Sequence, residues 1–549
     1  MDQGSKQSLS RRGFVGGAAA AIAGLGLSRV VYAGPASKAD LQRHGFQDSA
    51  SVITIGTLGE AQSINPFQSN ESEGDWRCKM LFEQFVRVNG QNYAPEPGPG
   101  IASAWTNEGL AFTFTINPNA KFSDGSDVTA DDVAFTITGH LDPKTASQRQ
   151  TKFTPIAGAQ DFVDGKATSV SGLEVVDPKT LKITLAEPNA SFLLSLRYIF
   201  VVPKAQLEGK DLTNDPWFQA PVGAGPFVYE SWSNGGDFVA KKNPNYYQEG
   251  KPALDGFIHR VIADANSLVL ALQNNEIDGS IYPAPTLKDQ LEQNKDLDLL
   301  TPPFNSPNGW MFNLKNEWLA KKEVRQAIAM SIDVSQYAAD SLLGLGKPGT
   351  GPIAPDNWAF DKELQALPYD PAKAKELLAS VGFPEGTKIR FCVNQGNVLR
   401  EDWLVFSQQA LKEVGIEVDA QLLEYATLVE AVTGSSHDYD ATGVDFAGVT
   451  VDPGELYDQF RTGAPGNYMA YSNPDLDALL EQARVELDMD KAKALYAQIQ
   501  TIIVDDSPMY YAWYRPFLQA VNKAKYAGYL GSNMEEGLFY DLEQFTLVQ

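Results

Sequence analysis

Cysteine and histidine are scarce in this chain of 549 residues, which has two of the first and four of the second. Two thiols cannot build a disulfide framework, and so few thiolate and imidazole donors argue against a metal centre made from them. Cationic side chains are also in deficit. Lys and Arg number 44 against 69 Asp and Glu, a formal net charge of −25. That balance argues against a nucleic-acid partner, because phosphates must be neutralised by Lys and Arg. Catalytic signatures are missing as well: no H-E-x-x-H, G-x-S-x-G, C-x-x-C or G-x-x-x-x-G-K-[ST] occurs. The acidic pairs Asp131-Asp132 and Asp505-Asp506 are adjacent in sequence, and adjacent side chains diverge on a helix, so neither forms a glycosidase-like dyad. His44, His140, His259 and His437 have no acid or nucleophile at a diagnostic spacing. Gly344-Leu345-Gly346-Lys347-Pro348-Gly349 fits the bare G-x-G-x-x-G string, but it follows a helical stretch and carries a proline, so it reads as a loop. Neither a cofactor nor a metal is expected.

The N-terminus carries an address. Ser10-Arg11-Arg12-Gly13-Phe14-Val15 is a twin-arginine signature, a weakly apolar Gly/Ala-rich stretch follows over 16–27, and Val31-Tyr32-Ala33 offers a small-x-small cleavage site. The three parts in this order predict a twin-arginine signal peptide over 1–33, cleaved near Ala33. An uncleaved anchor is the competing reading. No other apolar run reaches the ~20 residues of a membrane span. The expected location is therefore the periplasm. Removing a leader with Lys6, Arg11, Arg12 and Arg29 against Asp2 leaves the rest more acidic still.

Beyond the leader the texture is α/β. Residues 52–56, 112–116 and 181–185 alternate or cluster β-branched side chains as strands do. Residues 129–139, 267–274, 321–331, 371–381 and 475–483 read as helices. Thr129 precedes two acids and Asp370 precedes Pro371, both helix-start chemistry. Strands and helices mix along the whole length, without an internal repeat or a low-complexity linker.

Ordered motifs then carry a resemblance. They are Ser63-Ile64-Asn65-Pro66-Phe67, Phe122-Ser123-Asp124-Gly125-Ser126-Asp127-Val128-Thr129-Ala130, Gly223-Ala224-Gly225-Pro226-Phe227, Asn243-Pro244-Asn245-Tyr246-Tyr247, Asn275-Glu276-Ile277-Asp278, Val324-Arg325-Gln326-Ala327-Ile328 and Tyr369-Asp370-Pro371-Ala372-Lys373-Ala374-Lys375. In this series the chain resembles the ABC-importer extracellular solute-binding proteins of family 5, the peptide-, nickel- and oligosaccharide-binding class. The resemblance implies an α/β fold, a bilobed periplasmic-binding-protein clamp of the large, type II-like cluster C form with an extra subdomain. It implies a first lobe over 34–305 (core about 34–80 and 220–305, extra subdomain about 81–219), a second over 306–522 and a return over 523–549. Cys78 and Cys392 then belong to opposite lobes, and two separate buried thiols are expected.

The implied function is non-catalytic capture of a small polar solute, a peptide or a sugar conjugate, by a monomer that delivers it to an ABC permease and ATPase in the inner membrane. An oligosaccharide or opine-like ligand is the alternative within the class. An exported hydrolase and a chaperone or signalling receptor are the alternatives outside it. In peptide-binding members an aromatic stands seven residues before the proline of a second-lobe "D-P", and an Asp four before it holds the ligand's ammonium. Here Phe446 fills the aromatic position before Pro453 and Val449 the acidic one. A buried ammonium needs a carboxylate, so either Asp445 serves from a shifted loop or the ligand is not an ordinary peptide. The polar stretch 65–76 adds Asn65, Phe67 and Trp76, where amide and carboxylate groups beside an indole suit sugar hydroxyls and C–H faces. Trp76 as a core cap is the equal alternative. Trp310, at a lobe crossing, is expected to pack the hinge first and touch ligand second. Asn467 is a cleft-wall residue or part of a plain surface loop.

Overall fold

The structure, a computed structural model, describes residues 46, 51–90, 93–233, 235–281, 283–301, 305–342, 346–445, 451–516, 518–529 and 537–548. The signal segment 1–33 and Phe446 lie outside them, as do Gly344 and Leu345.

Two mixed sheets organise the chain. The first runs in the order Leu297–Leu300, Gln519–Asn522, Gly279–Ser280, Val52–Thr57, Gly256–Val261, Phe238–Lys242, Phe227–Trp232. Its centre, Val52–Thr57, is buried along its whole length and pairs parallel with both neighbours. A run of mostly β-branched residues, with only Thr54 and Thr57 polar, suits such a doubly covered strand. The second runs Lys347–Pro348, Met509–Pro516, Asn305–Phe312, Ala441–Asp445, Thr387–Asn394, Ile416–Leu423. Thr387–Asn394 pairs parallel with both Ile416–Leu423 and Ala441–Asp445. A third, four-stranded antiparallel sheet (Ala102–Glu108, Ala111–Ile116, Thr180–Thr184, Leu173–Asp177) has its own core of Phe114, Ile116, Val133, Ile137 and Leu181. The helix Ala130–Leu141 packs on it, opened by Thr129, whose backbone N–H and hydroxyl both donate to Asp132 at 2.8 and 2.7 Å. The Pro371–Ser380 helix is capped in the opposite sense, with the Asp370 carboxylate accepting from the Lys373 N–H at 2.9 Å.

The first two sheets define two lobes, and the chain passes between them twice. It leaves after Leu300 and enters the second sheet at Asn305; it leaves that sheet at Pro516 and re-enters the first at Gln519. The return therefore precedes the expected 522/523 boundary, because Gln519–Asn522 is needed to pair antiparallel with Leu297–Leu300. Asn305 in turn pairs with Pro516. The crossings are thus neighbours: the same two runs of chain pair antiparallel in both sheets.

Strand alternation sorts the second lobe's core. Trp310 and Phe312 face one cluster, with Tyr337, Phe391 and Trp403, while Met311 faces the other, with Cys392, Tyr439 and Tyr511. Trp310 has 0% exposure. Its indole N–H donates to Ser407 Oγ at 2.9 Å, and its ring lies edge-on to Phe391 at 4.7 Å. Cys78 and Cys392 are buried and unbonded, one in each lobe's core. Among the described residues no helix is long and apolar enough to cross a membrane.

Trp310→Ala is expected to destabilise the protein by about 3–5 kcal/mol, the cost of a large aromatic cavity. Urea denaturation measures it. A loss of solute affinity at unchanged stability would instead make Trp310 a ligand contact.

Candidate functional site

In α/β sheets, ligands sit beyond the carboxyl ends of parallel strands. Here those ends are Thr57, Val261 and Ser280 in the first sheet and Asn394, Leu423 and Asp445 in the second. The loops that follow them meet across the lobes. Gln62 Nε2 donates to the Ala426 carbonyl at 3.3 Å. The Tyr425 side chain hydrogen-bonds the Glu73 carboxylate. Gly396, at φ +85°, presses its backbone against Ala263 so closely that a Cβ would stand 1.6 Å from the Ala263 carbonyl oxygen. These contacts bound one side of an interlobe crevice.

A latch from the extra subdomain bounds the other. Lys152 Nζ lies 2.6 Å from Glu455 Oε2 and 2.8 Å from Asp458 Oδ2. Thr151 bonds Asp458, and Tyr198 donates to Glu455 at 3.0 Å. Ser191 donates to Asp452 at 3.0 Å, and the Ala190 N–H to the Arg484 carbonyl at 3.0 Å. Tyr468 reaches Gln148. Burial works against the Lys152 charge, but Asp458 and Glu455 outweigh it and hold the ammonium above its ordinary value. Burial likewise opposes the Glu455 charge, and Lys152 with Arg197 still hold that carboxyl below the usual range. Asp452 is pushed up, by burial and then by the Glu455 charge. A void of about 40 Å³, room for roughly two or three waters, remains beside the latch. A larger cavity, about 550 Å³, opens among Arg87, Asn89, Glu96, Tyr247, Lys251 and Asp541. It adjoins an apolar contact between lobes, where Val451 meets Val88 and Tyr540.

The first-lobe wall is held by a buried network. His259 Nδ1 accepts from Arg77 Nε at 3.1 Å, so its Nε2 carries the proton and donates to Thr57 Oγ1 at 2.6 Å. Burial and the Arg77 charge keep this imidazole neutral, well below its ordinary value. Arg77 also bonds Glu60 at 2.6 Å and lies over the Trp232 and Phe238 rings at 4.7 and 5.0 Å. The network ties the end of Val52–Thr57 to the helix Ser72–Leu81. Glu71 caps that helix, accepting from the Gly74 and Gln62 N–H groups at 2.9 and 3.1 Å. Burial, then the neighbouring Glu73 charge, hold Glu71 well above the carboxylate range, and burial raises Glu73.

The residues singled out from sequence do not converge. Asn65 spends its amide on the Leu212 and Thr213 carbonyls and the Phe67 N–H. Phe67 packs on His140 and Phe218, and Trp76 stacks on Phe539 at 5.3 Å. Trp310 sits in the second lobe's core, and Asn467 staples its own loop through the Arg461 and Tyr471 carbonyls. Asp445 ends its strand paired with Asn308, at the crevice edge, just before the segment holding Phe446. The groups at the lobe boundary that sequence reasoning missed are Gln62, Lys152, Gly396, Tyr425, Glu455 and Asp458; Glu73 lies in the polar stretch 65–76 and Tyr468 beside Asn467. The D-P at 452–453, one turn before Glu455, was the nearest available signal.

Comparison with known proteins agrees with this geometry. The family model for bacterial extracellular solute-binding proteins, family 5 Middle, matches residues 96–468. The oligopeptide-binding protein AppA of Bacillus subtilis (strain 168) is 28% identical over 485 residues, 86% of this chain and 87% of its own. The glutathione-binding protein GsiB of Salmonella typhi is 27% identical, over 89% and 91%. AppA solved in complex with a nonapeptide superposes with a TM-score of 0.83 at 26% identity, covering 90% of this chain and 99% of that one. AgaA from A.tumefacien R10, solved with agropinic acid, gives 0.80 at 26%, over 91% and 99%.

Lys152→Met leaves two carboxylates facing each other only when the lobes are shut. The closed state should lose about 3 kcal/mol, which lowers solute affinity on the order of 100-fold. Calorimetric titration reads the affinity, and the unliganded Tm should stay near that of wild type. Gly396→Ala should act similarly by steric exclusion, shifting small-angle scattering towards the open form; a variant as compact as wild type would show that the seam yields.

Proposed function

The chain belongs to the bacterial extracellular solute-binding proteins of family 5, and we propose that it is the receptor of an ABC importer for a peptide-class solute. It captures one solute between its lobes, closes on it without chemical change, and presents the closed form to a permease and ATPase. Two lobes, each built on its own sheet and joined by one two-stranded ribbon, are the observation that carries this reading. Such a joint lets the lobes part, and a solute touching both loop sets stabilises the closed arrangement by its differential contacts. Two relatives that cover most of the chain, named for oligopeptides and for glutathione, support peptides as the class. The protein works as a monomer in the periplasm, exported through the twin-arginine segment and cleaved near Ala33. Asp445 and Phe446, at the second-lobe position where the family resemblance puts ligand contacts, are the residues proposed to meet the solute.

A second reading is an opine-like solute. AgaA's likeness to this chain, with agropinic acid bound, favours it, as does Val449 in place of an ammonium-binding Asp.

A thermal-shift series with short peptides, glutathione and agropinic acid separates the readings. A ligand at 100 times its Kd adds ~2.7 kcal/mol of stability, visible as a rise in Tm. Peptides or glutathione should give it. A response to agropinic acid alone would select the second reading, and cleavage of any probe would refute both.

A further inference from the structure

Two carboxylates at the interlobe seam lack counter-charge. Glu71 and Glu73 flank the first turn of the Ser72–Leu81 helix. Glu73 is 4% exposed. Its carboxylate fills the space between the Gly59 backbone of the first lobe and the Tyr425 ring of the second: a Cβ on Gly59 would meet Glu73 Oε1 at 2.6 Å and Tyr425 Cδ1 at 2.9 Å. The two carboxyl groups hydrogen-bond each other, but Oε2 of Glu73 and Oε2 of Glu71 are buried with no donor from another residue. Among the described residues no Lys or Arg comes within ion-pair distance of either. Arg77 is the nearest cation acting on them, but it is committed to Glu60 and His259. Asp75, the other charge on this turn, is taken by Arg149 and Ser69.

Unpartnered buried carboxylate oxygens are costly, and the cost persists only where something else repays it. The missing partner must donate hydrogen bonds and carry positive charge. It must also enter where the lobes meet, since Tyr425 already supplies the seam's own donor. We propose that Glu71 and Glu73 form a subsite for an N–H cation of the captured solute, an ammonium or guanidinium group enclosed between the first-lobe loop and Tyr425. The inference rests on the receptor reading and narrows its solute to one bearing such a cation.

A protonic consequence follows. Glu71 is held well above its ordinary range, by burial and then by the Glu73 charge, so the empty pair holds a proton more tightly than an isolated carboxylate does. Asp75 adds to that repulsion, while Arg77 and the Tyr425 hydroxyl act the other way on Glu73. An arriving cation favours the doubly ionised pair and expels the proton. Affinity therefore falls as pH drops and rises towards neutrality, until the solute's own amine begins to lose its charge.

The probe is a set of tri- and tetrapeptides without Lys or Arg, each prepared with a free and with an acetylated N-terminus, titrated into the mature protein by calorimetry. Free-amine members should bind and acetylated ones should bind roughly 10- to 100-fold more weakly. Titrations in buffers of different ionisation enthalpy should show proton release with the free-amine members alone. Glu73→Gln, and Glu71→Gln, whose amide oxygen can still cap Gly74, should each abolish the release and remove the preference for the free amine. A purely structural role would lower affinity for both forms equally, and that outcome overturns the subsite. Equal binding of free and acetylated peptides by wild type also overturns it while leaving the receptor intact. Failure of every peptide to bind removes the peptide reading itself, and the subsite with it.

Discussion

The two lobes are tied by one antiparallel ribbon, paired at Leu300↔Gln519 in the first sheet and at Asn305↔Pro516 in the second. That joint is the constraint on which the rest depends. Neither cysteine spans it, since both are buried in separate cores and unbonded. A two-stranded connection resists bending weakly, because two strands without further neighbours are only marginally stable by themselves. The relative position of the lobes is then set by the seam, not by the backbone. Lys152 with Glu455 and Asp458 gains Coulomb energy on closing but gives up hydration, and such terms roughly offset one another. A closed state balanced in this way is one that a small solute can tip, since only its differential affinity for the two forms moves the equilibrium.

Local structure was well foretold by sequence because it rests on neighbours. The strands at 52–56, 112–116 and 181–185 and the helix starts at Thr129 and Asp370 each follow from periodicity and a side chain three residues away. The free thiols in opposite lobes followed from the family's chain order. The crevice was not legible in the same manner. Lys152 and Glu455 lie 303 positions apart, and Gln148 and Tyr468 lie 320 apart; no local pattern marks either. Asn65 and Trp76 drew attention as an amide and an indole in a polar loop. Both are consumed by structure, one anchoring 212–213 and the other stacking on Phe539. Composition showed which groups could meet a sugar, but only the fold shows which are already engaged.

The chemistry of the seam differs from that of the cores for a physical reason. Around Trp310 the packing is aromatic and aliphatic, and it never meets water. Across the lobes the described contacts are mostly ionic or hydrogen-bonded, with Val88, Val451 and Tyr540 as an apolar exception. An interface that opens must be wettable on both sides; a large apolar seam would hold the lobes shut and expose a sticky patch whenever they parted. Polar seams carry the opposite hazard, since each group must find its partner again on closing. Most here do: Ser191 finds Asp452, Tyr198 finds Glu455 and Gln62 finds Ala426. Glu71 and Glu73 do not complete theirs, in a chain with far more acids than bases. Excess negative charge that is spread over a surface is screened by salt and costs little. Charge enclosed where two lobes meet is not screened, and that is why its position, and not the net charge, bears on what the crevice can hold.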